Sequence, residues 1–434
     1  MIEQETASIG FGSGYGKLLK QRGLNRLQEA PDATIHREIA AITARVLRTC
    51  GAVLTGDTED QLEATKPFDM YSMISSCLYR LSIAAMPSQS RDLVDRGHDE
   101  IQTMKDALAS ILRHDVLNLP DHKVILSPNG SSANRLSLEI ARELTKRSKV
   151  LVSHLGHVSI KQACRTLGMQ IIELEYDVLD DKSLTKATTT ALDQNKDIAA
   201  LVLTTPDSRL GVIESVDDAV LQRCRELGIR VHVDAAYGGL WFSASSKGNP
   251  TMRHLLESPY ADSITADPHK FVGVPNCGAL FLRQPSDLQV LGDAEVPYFE
   301  AADESAFGTT QKPDGALTAL FHLHELGKEG VRKRADDCFA KAKELEAMLA
   351  ANGFSTITPV QSGIVPIRLN SSEQVDHVQK ELERHGFQVS AIKIQPANLA
   401  PQFGVRVVIT PRPYFTTEIL QSFVEVLRQV KIDT

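Results

Sequence analysis

Long apolar runs, paired cysteines and an excess of positive charge are all missing from this 434-residue chain, and each absence removes a class of function. No uninterrupted apolar segment approaches the roughly 20 residues that a helix needs to cross a bilayer, so no membrane role is expected. The six cysteines, at positions 50, 77, 164, 224, 277 and 338, contain no CxxC pair, which argues against a zinc site or a disulfide framework. Lysine and arginine number 47 against 55 aspartates and glutamates, a net charge of −8, whereas a general nucleic-acid binder usually carries a basic surface. The opening MIEQETASIGFGSGYG is polar and acidic where a secretory signal is basic and then apolar, so a cytoplasmic location is expected. Its GFGSGYG follows no hydrophobic strand, and it reads as a mobile glycine-rich arm rather than a nucleotide loop. Aromatic residues make up only 5%, with a single tryptophan, Trp241, a weak argument against an aromatic substrate.

What is present is a chain that is 42% hydrophobic, enough to bury a large core in two domains. Apolar residues fall at helical spacing from Ile35 to Val53 and again from Ile101 to Leu112. After residue 123 the rhythm changes. The β-rich runs KVILS, KVLVS, QIIELE, AALVLTT, RVHVDAA, SITAD and GALFLR alternate with amphipathic helices, which predicts an α/β architecture with a mostly parallel sheet. A polar, turn-rich break spans 285–315, followed by a long helix and the strand-like runs GIVPIRL, FQVSAI and VRVVITP. The expected division is an N-terminal helical arm (1–100), a large domain (101–310) and a small C-terminal α+β domain (311–434).

Two residues concentrate the chemistry. Asp234 ends the strand RVHVDAA, and Lys270 follows the strand SITAD within DPHKF. Pyridoxal 5'-phosphate needs such a pair: a lysine amine to form a Schiff base with its aldehyde, and a carboxylate to keep its ring nitrogen protonated. A surface lysine would have no such neighbours. Upstream, SPNGSSANRLSLEIAR sets Asn129, Gly130 and Ser131 just before a helix, where backbone amides and the helix dipole suit a phosphate, although an ordinary helix cap uses the same residues.

From about 123 to 330 the chain resembles the group II pyridoxal-phosphate-dependent decarboxylases, which share the aspartate aminotransferase-like fold type I. HVDAAYGG, ADSITADPHKF and PNCGALFLR carry the resemblance, which weakens through FGTTQKPDGALTALFHL and is poor over the first hundred residues. It implies a fold type I, PLP-dependent transferase-like architecture: a large domain with a mostly parallel seven-stranded sheet and a small C-terminal domain. It further implies that Lys270 bears the Schiff base, that Asp234 pairs with the ring nitrogen, and that Ala236 lies against one ring face. His157 would stack on the other face, with His154 a competing neighbour. His269 would help hold the phosphate with the Asn129–Ser131 loop, and Thr204 and Thr205 would lie near the phenolic oxygen and the substrate. By position, Gly308 and Thr309 would reach the phosphate of a second subunit, so a homodimer with shared active sites is expected; Lys312 stands near where the family usually carries an arginine.

The larger members of that family protonate the α-carbon from a tyrosine on a long mobile loop. Here the connection from Arg283 to Gly308 is short and holds one tyrosine, Tyr298. In this the chain is similar to compact archaeal-type tyrosine and aspartate decarboxylases, or to sphingosine-phosphate lyase. Tyr298 and His157 both remain candidate proton donors. Arg406 and Arg412 are candidates for holding a substrate acid group, which would favour aspartate or glutamate, although either could be a surface arginine. The implied activity is decarboxylation of an L-amino acid to its amine and carbon dioxide. The alternatives are another lyase on the same scaffold, cleaving a carbon–carbon or carbon–sulfur bond, and a cofactor-binding protein without turnover.

Overall fold

The structure is a computed structural model that describes residues 102–292, 314–396, 398–410 and 415–432, together with most positions between 18 and 41. Its centre is a seven-stranded sheet in the order β1-β7-β6-β5-β4-β2-β3. The strands are β1 (Lys123–Ser127), β2 (Lys149–Ser153), β3 (Gln170–Leu174), β4 (Ile198–Thr204), β5 (Arg230–Asp234), β6 (Ser263–Ala266) and β7 (Gly278–Leu282). β3, β2, β4, β5 and β6 run parallel, while β7 lies antiparallel to both β6 and β1. All seven residues of β4, IAALVLT, are buried, as a parallel strand covered on both faces requires.

The helices that cover this sheet are α1 (102–111), α2 (Gly130–Thr145), α3 (Val158–Thr166), α4 (Ser183–Gln194), α5 (Asp218–Glu226), α6 (Gly239–Ala244), α7 (Pro250–Glu257) and α8 (Pro268–Val272). Their starts are set locally. The Asn129 side chain accepts the Ser132 N–H at the head of α2, and Asn249 accepts from Thr251 and Met252 ahead of a proline at the head of α7. α1 runs directly into a single π-helical turn, Leu112–Val116.

The long stretch α9 (Asp314–Ala351) is broken at Gly327, whose φ of 60° lies in the left-handed region. The N-terminal arm docks at this break: Lys328 N–H donates to Gln28 O and Glu329 N–H to Glu29 O, each at 2.8 Å. A Cβ at Gly327 would stand 2.4 Å from Ala30 O, so glycine serves close approach as well as conformation here. The sequence pattern reads this stretch as one helix, because a break made by a tertiary contact leaves the hydrophobic period intact.

Beyond it, β8 (Ile364–Leu369), β9 (Ser390–Ile394) and β10 (Gln402–Val408) form an antiparallel sheet in the order β8-β10-β9, backed by α10 (Ser372–Arg384) and α11 (Thr417–Ile432). The strand expected from FQVSAI begins only at Ser390, while Phe387 packs edge-on against Phe423 at 5.4 Å. The polar break after 285 opens as a 3-10 helix, Pro285–Leu291. Tyr237 ties the two sheets together, its hydroxyl donating to Ile409 O at 2.6 Å. The proposed helix from Ile35 to Val53 lies mostly outside the described residues. Among the described residues, no helix is long and apolar enough to cross a membrane.

Candidate active site

Three adjacent parallel strands end in one polar row. Thr204 of β4 pairs in register with Asp234 of β5, and Asp234 with Thr265 of β6, so their side chains share a face. All three are buried, as is the following Thr205. The hydroxyls of Thr204, Thr205 and Thr265 find no hydrogen-bond partner among the described residues. Buried hydroxyls normally pair, so an unpaired set at the carboxyl ends of parallel strands marks where a polar ligand belongs.

Lys270 stands on the short helix α8, which Gly273 closes in the left-handed conformation (φ 74°). Its Nζ is 3.1 Å from Asp267 Oδ2, an ion pair in which the lysine keeps about a third of its side chain exposed. Asp267 is 2% exposed, and no donor among the described residues meets either carboxylate oxygen at hydrogen-bond angles. Burial pushes its pKa up, against the pull of the Lys270 and His269 charges. Asp267 is a site residue that the sequence reading passed over. The available signal was its position three residues before the lysine at a helix start.

Asp234 is held from the helix α2. Its Oδ2 accepts from Asn134 Nδ2 at 2.8 Å, and its Oδ1 from the Ala236 N–H at 3.3 Å. Asn134 Nδ2 also reaches Ser159 Oγ at 3.0 Å, and Asn134 Oδ1 faces His232 Nε2 at 3.0 Å. Neither Asn134 nor His232 carries a motif that would single it out. His157 caps α3 with Nδ1, 3.2 Å from the Ser159 N–H and 2.8 Å from Ser159 Oγ. Burial lowers its pKa; the charges of Asp234 and Asp267 act to raise it and those of Lys270 and Arg406 to lower it, which places all four around this ring. His154, the competing histidine, is instead buried edge-on against Tyr176 at 5.3 Å.

The Asn129–Ser131 loop sits beside this row. A Cβ on Gly130 would stand 2.6 and 2.8 Å from the Asp267 carboxylate oxygens and 3.0 Å from Ala236 Cβ, so Gly130, Ala236 and Asp267 meet at one point. Gly278, opening β7, is equally tight against the backbone of Asn129 and Gly130. Ser131 is exposed at the head of α2. His269 Nδ1 lies 2.8 Å from Cys277 O, which makes that nitrogen the donor and fixes the ring at the start of α8.

Behind Thr204, the buried Glu214 accepts the Thr204 N–H at 2.7 Å and the Tyr176 hydroxyl at 3.2 Å, and it also contacts Ser153 Oγ. Burial lifts its pKa to about 7. Arg406 on β10 has an Nε with no hydrogen-bond partner among the described residues. Tyr298, Gly308, Thr309, Lys312 and Arg412 lie outside the described residues.

These groups fit a phosphorylated pyridine aldehyde. An accessible lysine can meet the aldehyde, a held carboxylate can meet a protonated ring nitrogen, unpaired hydroxyls can meet ring oxygens, and a side-chain-free helix start can meet the phosphate.

The comparisons agree with that chemistry. The family model for the pyridoxal-dependent decarboxylase conserved domain matches residues 135–370. A probable L-tyrosine/L-aspartate decarboxylase of Methanopyrus kandleri is 28% identical over 315 residues, covering 69% of this chain and 78% of the relative. The L-tyrosine/L-aspartate decarboxylase of Methanocaldococcus jannaschii is 26% identical over 362 residues, 79% of this chain and 86% of its own. Among solved structures, glutamate decarboxylase of Lactobacillus brevis superposes with a TM-score of 0.66 at 16% identity, over 88% of this chain and 93% of that one. That likeness identifies the fold as fold type I.

Proposed function

Since the chain belongs to the pyridoxal-dependent decarboxylase family and is a pyridoxal-phosphate-dependent amino-acid decarboxylase, we propose that its substrate is an acidic L-amino acid, with L-aspartate first. The observation that carries this reading is Arg406, a partly buried guanidinium whose charge reaches His157 and whose Nε has no hydrogen-bond partner among the described residues. The Asp207 carboxylate already acts on its charge, and a substrate acid group would add a charge-assisted pair at the open Nε. The names of the archaeal relatives, several of which specify L-aspartate, support the same choice.

The bound cofactor supplies an aldehyde for the substrate amine and a ring that accepts the electron pair released when carbon dioxide departs. In our assignment Lys270 is the amine that holds the cofactor between turnovers, and Asp267 at 3.1 Å orients it. Asp234, oriented by its Asn134 and Ala236 donors, would pair with the protonated ring nitrogen. Ala236, without bulk, bounds one ring face, and His157 covers the other and shields it from water. Asn129, Gly130 and Ser131, aided by His269, bind the phosphate, while Thr204 and Thr205 meet the oxygen side of the ring. Gly308 and Thr309 are assigned to the phosphate of a second subunit.

We further assign the large domain to 101–310 and the small domain to 311–434. A homodimer in the cytoplasm completes the proposal; the four described cysteines are free thiols, in keeping with a reducing compartment. An amino-acid panel scored for carbon dioxide and amine tests the substrate. L-aspartate is expected to give the highest kcat/KM, and turnover of tyrosine without aspartate would overturn the acidic assignment. Lys270→Ala is expected to abolish both turnover and the long-wavelength absorption of lysine-bound cofactor.

A further inference from the structure

A chain of buried hydrogen bonds runs from His232 through Asn134 to both Asp234 and His157, and its direction can be read from donor and acceptor chemistry. The carboxylate of Asp234 only accepts, so the group 2.8 Å from its Oδ2 must be the Asn134 amide nitrogen. The amide oxygen then faces His232 Nε2 at 3.0 Å, and that nitrogen must carry hydrogen. His232 Nδ1 is left to accept from Ser137 Oγ or Ser263 Oγ, each 2.9 Å away. Burial pushes the His232 pKa down to about 4, so the ring is neutral near pH 7 and its orientation is single-valued.

The second hydrogen of Asn134 Nδ2 points to Ser159 Oγ at 3.0 Å. The serine hydroxyl keeps its own hydrogen, free to turn toward His157 Nδ1 at 2.8 Å. The Ser159 backbone N–H, which can only donate, reaches the same Nδ1 at 3.2 Å. A backbone N–H aimed at Nδ1 requires a lone pair there, so the hydroxyl donates to it as well and no place is left for a proton. The hydrogen of a neutral His157 therefore resides on Nε2, the nitrogen turned away from Ser159.

We propose that Asn134 is a positioning residue that acts on both sides of the cofactor site: one amide hydrogen holds Asp234, and the other, through Ser159, locks His157 as its Nε2–H tautomer. Both amide hydrogens are committed, so Asp234 and His157 are oriented by one rigid group on α2. The consequence for the reaction is that His157 offers a hydrogen, and not a lone pair, to whatever lies against its free edge. This rests on the site assignment above, in which Asp234 and His157 bracket the ring.

The test is tautomer assignment by nitrogen NMR on holoenzyme labelled with [15N]histidine, with the His157 signals identified by their loss in His157→Gln. Wild type is expected to show a bare Nδ1 and a protonated Nε2 in the neutral ring. Ser159→Thr, which keeps the hydroxyl, is expected to preserve that pattern. Asn134→Ala and Ser159→Ala are expected to admit the second tautomer and to lower kcat by about 10- to 100-fold, with KM within about threefold, since the lost contacts orient groups rather than bind substrate. A protonated Nδ1 in the wild-type neutral ring would overturn the proposal without recourse to any variant. An Asn134→Ala enzyme with the wild-type tautomer and kcat would overturn it as well. Cofactor absorption separates this from the site assignment: it persists in Asn134→Ala if only the positioning proposal fails, whereas its persistence in Lys270→Ala would sink the assignment itself.

Discussion

Glu214→Gln should make the protein more stable, and by an amount that grows with pH. The glutamate is 1% exposed, and the charge of Asp207 adds to the cost of ionising it. Its pKa rises from 4.5 to about 7. The sign follows from proton counting. Between these two values the folded state holds a proton that the unfolded state has released, so folding is favoured at low pH and loses ground as pH rises through about 7. At about 1.4 kcal/mol per pKa unit, the penalty on the wild type between about pH 5 and pH 8 is about 2–3 kcal/mol.

Glutamine can take the place of the protonated acid. Its oxygen accepts the Thr204 N–H, and its NH2 donates toward Ser153 Oγ and the Tyr176 hydroxyl, both of which can turn to accept. The assay is urea unfolding of both proteins followed by the fluorescence of Trp241, the sole tryptophan and fully buried. Contributions from titrating groups that Glu214 does not act on, including His232, are common to both proteins and cancel in the difference. The gap in unfolding free energy between variant and wild type should widen with pH. A gap constant to within about 0.5 kcal/mol across that range would refute the argument.

Gly130→Ala would push a methyl group to within 2.6 Å of the Asp267 carboxylate beside Lys270. We expect cofactor affinity to fall about tenfold or more, read by absorbance titration, since overpacking of this kind costs about 1–3 kcal/mol; unchanged affinity would remove Gly130 from the cradle. Arg406→Gln should raise KM for L-aspartate by about 10- to 100-fold, the worth of a charge-assisted hydrogen bond, and a KM equal to wild type would free Arg406 from substrate binding.

The residues assigned to the cofactor are far apart along the chain, but each sits in a short local motif, and this is why they were legible before the fold was known. Asp234 ends one strand, Lys270 follows the next, and Asn129–Ser131 opens a helix; each belongs to a strand-to-loop junction whose hydrophobic run and turn residues are local. Alternation of strand and helix likewise made the α/β class readable. Less could be read where contact rather than period decides. The break at Gly327 is made by the docked arm, and β9 begins late because Phe387 is drawn onto Phe423.

By itself, then, the amino-acid sequence determined the cofactor and the type of sheet, and it pointed to the lysine assigned to meet that cofactor. Tertiary structure alone decided how those groups are held. Asn134 meets Asp234 from 100 residues away, Glu214 props Thr204 from beneath, and Asp267 comes to lie between Lys270 and Gly130. The physical reason is strand register. Aligning Thr204, Asp234 and Thr265 across β4, β5 and β6 creates a polar row inside an apolar sheet, and its partners must come from whichever helix packs over it.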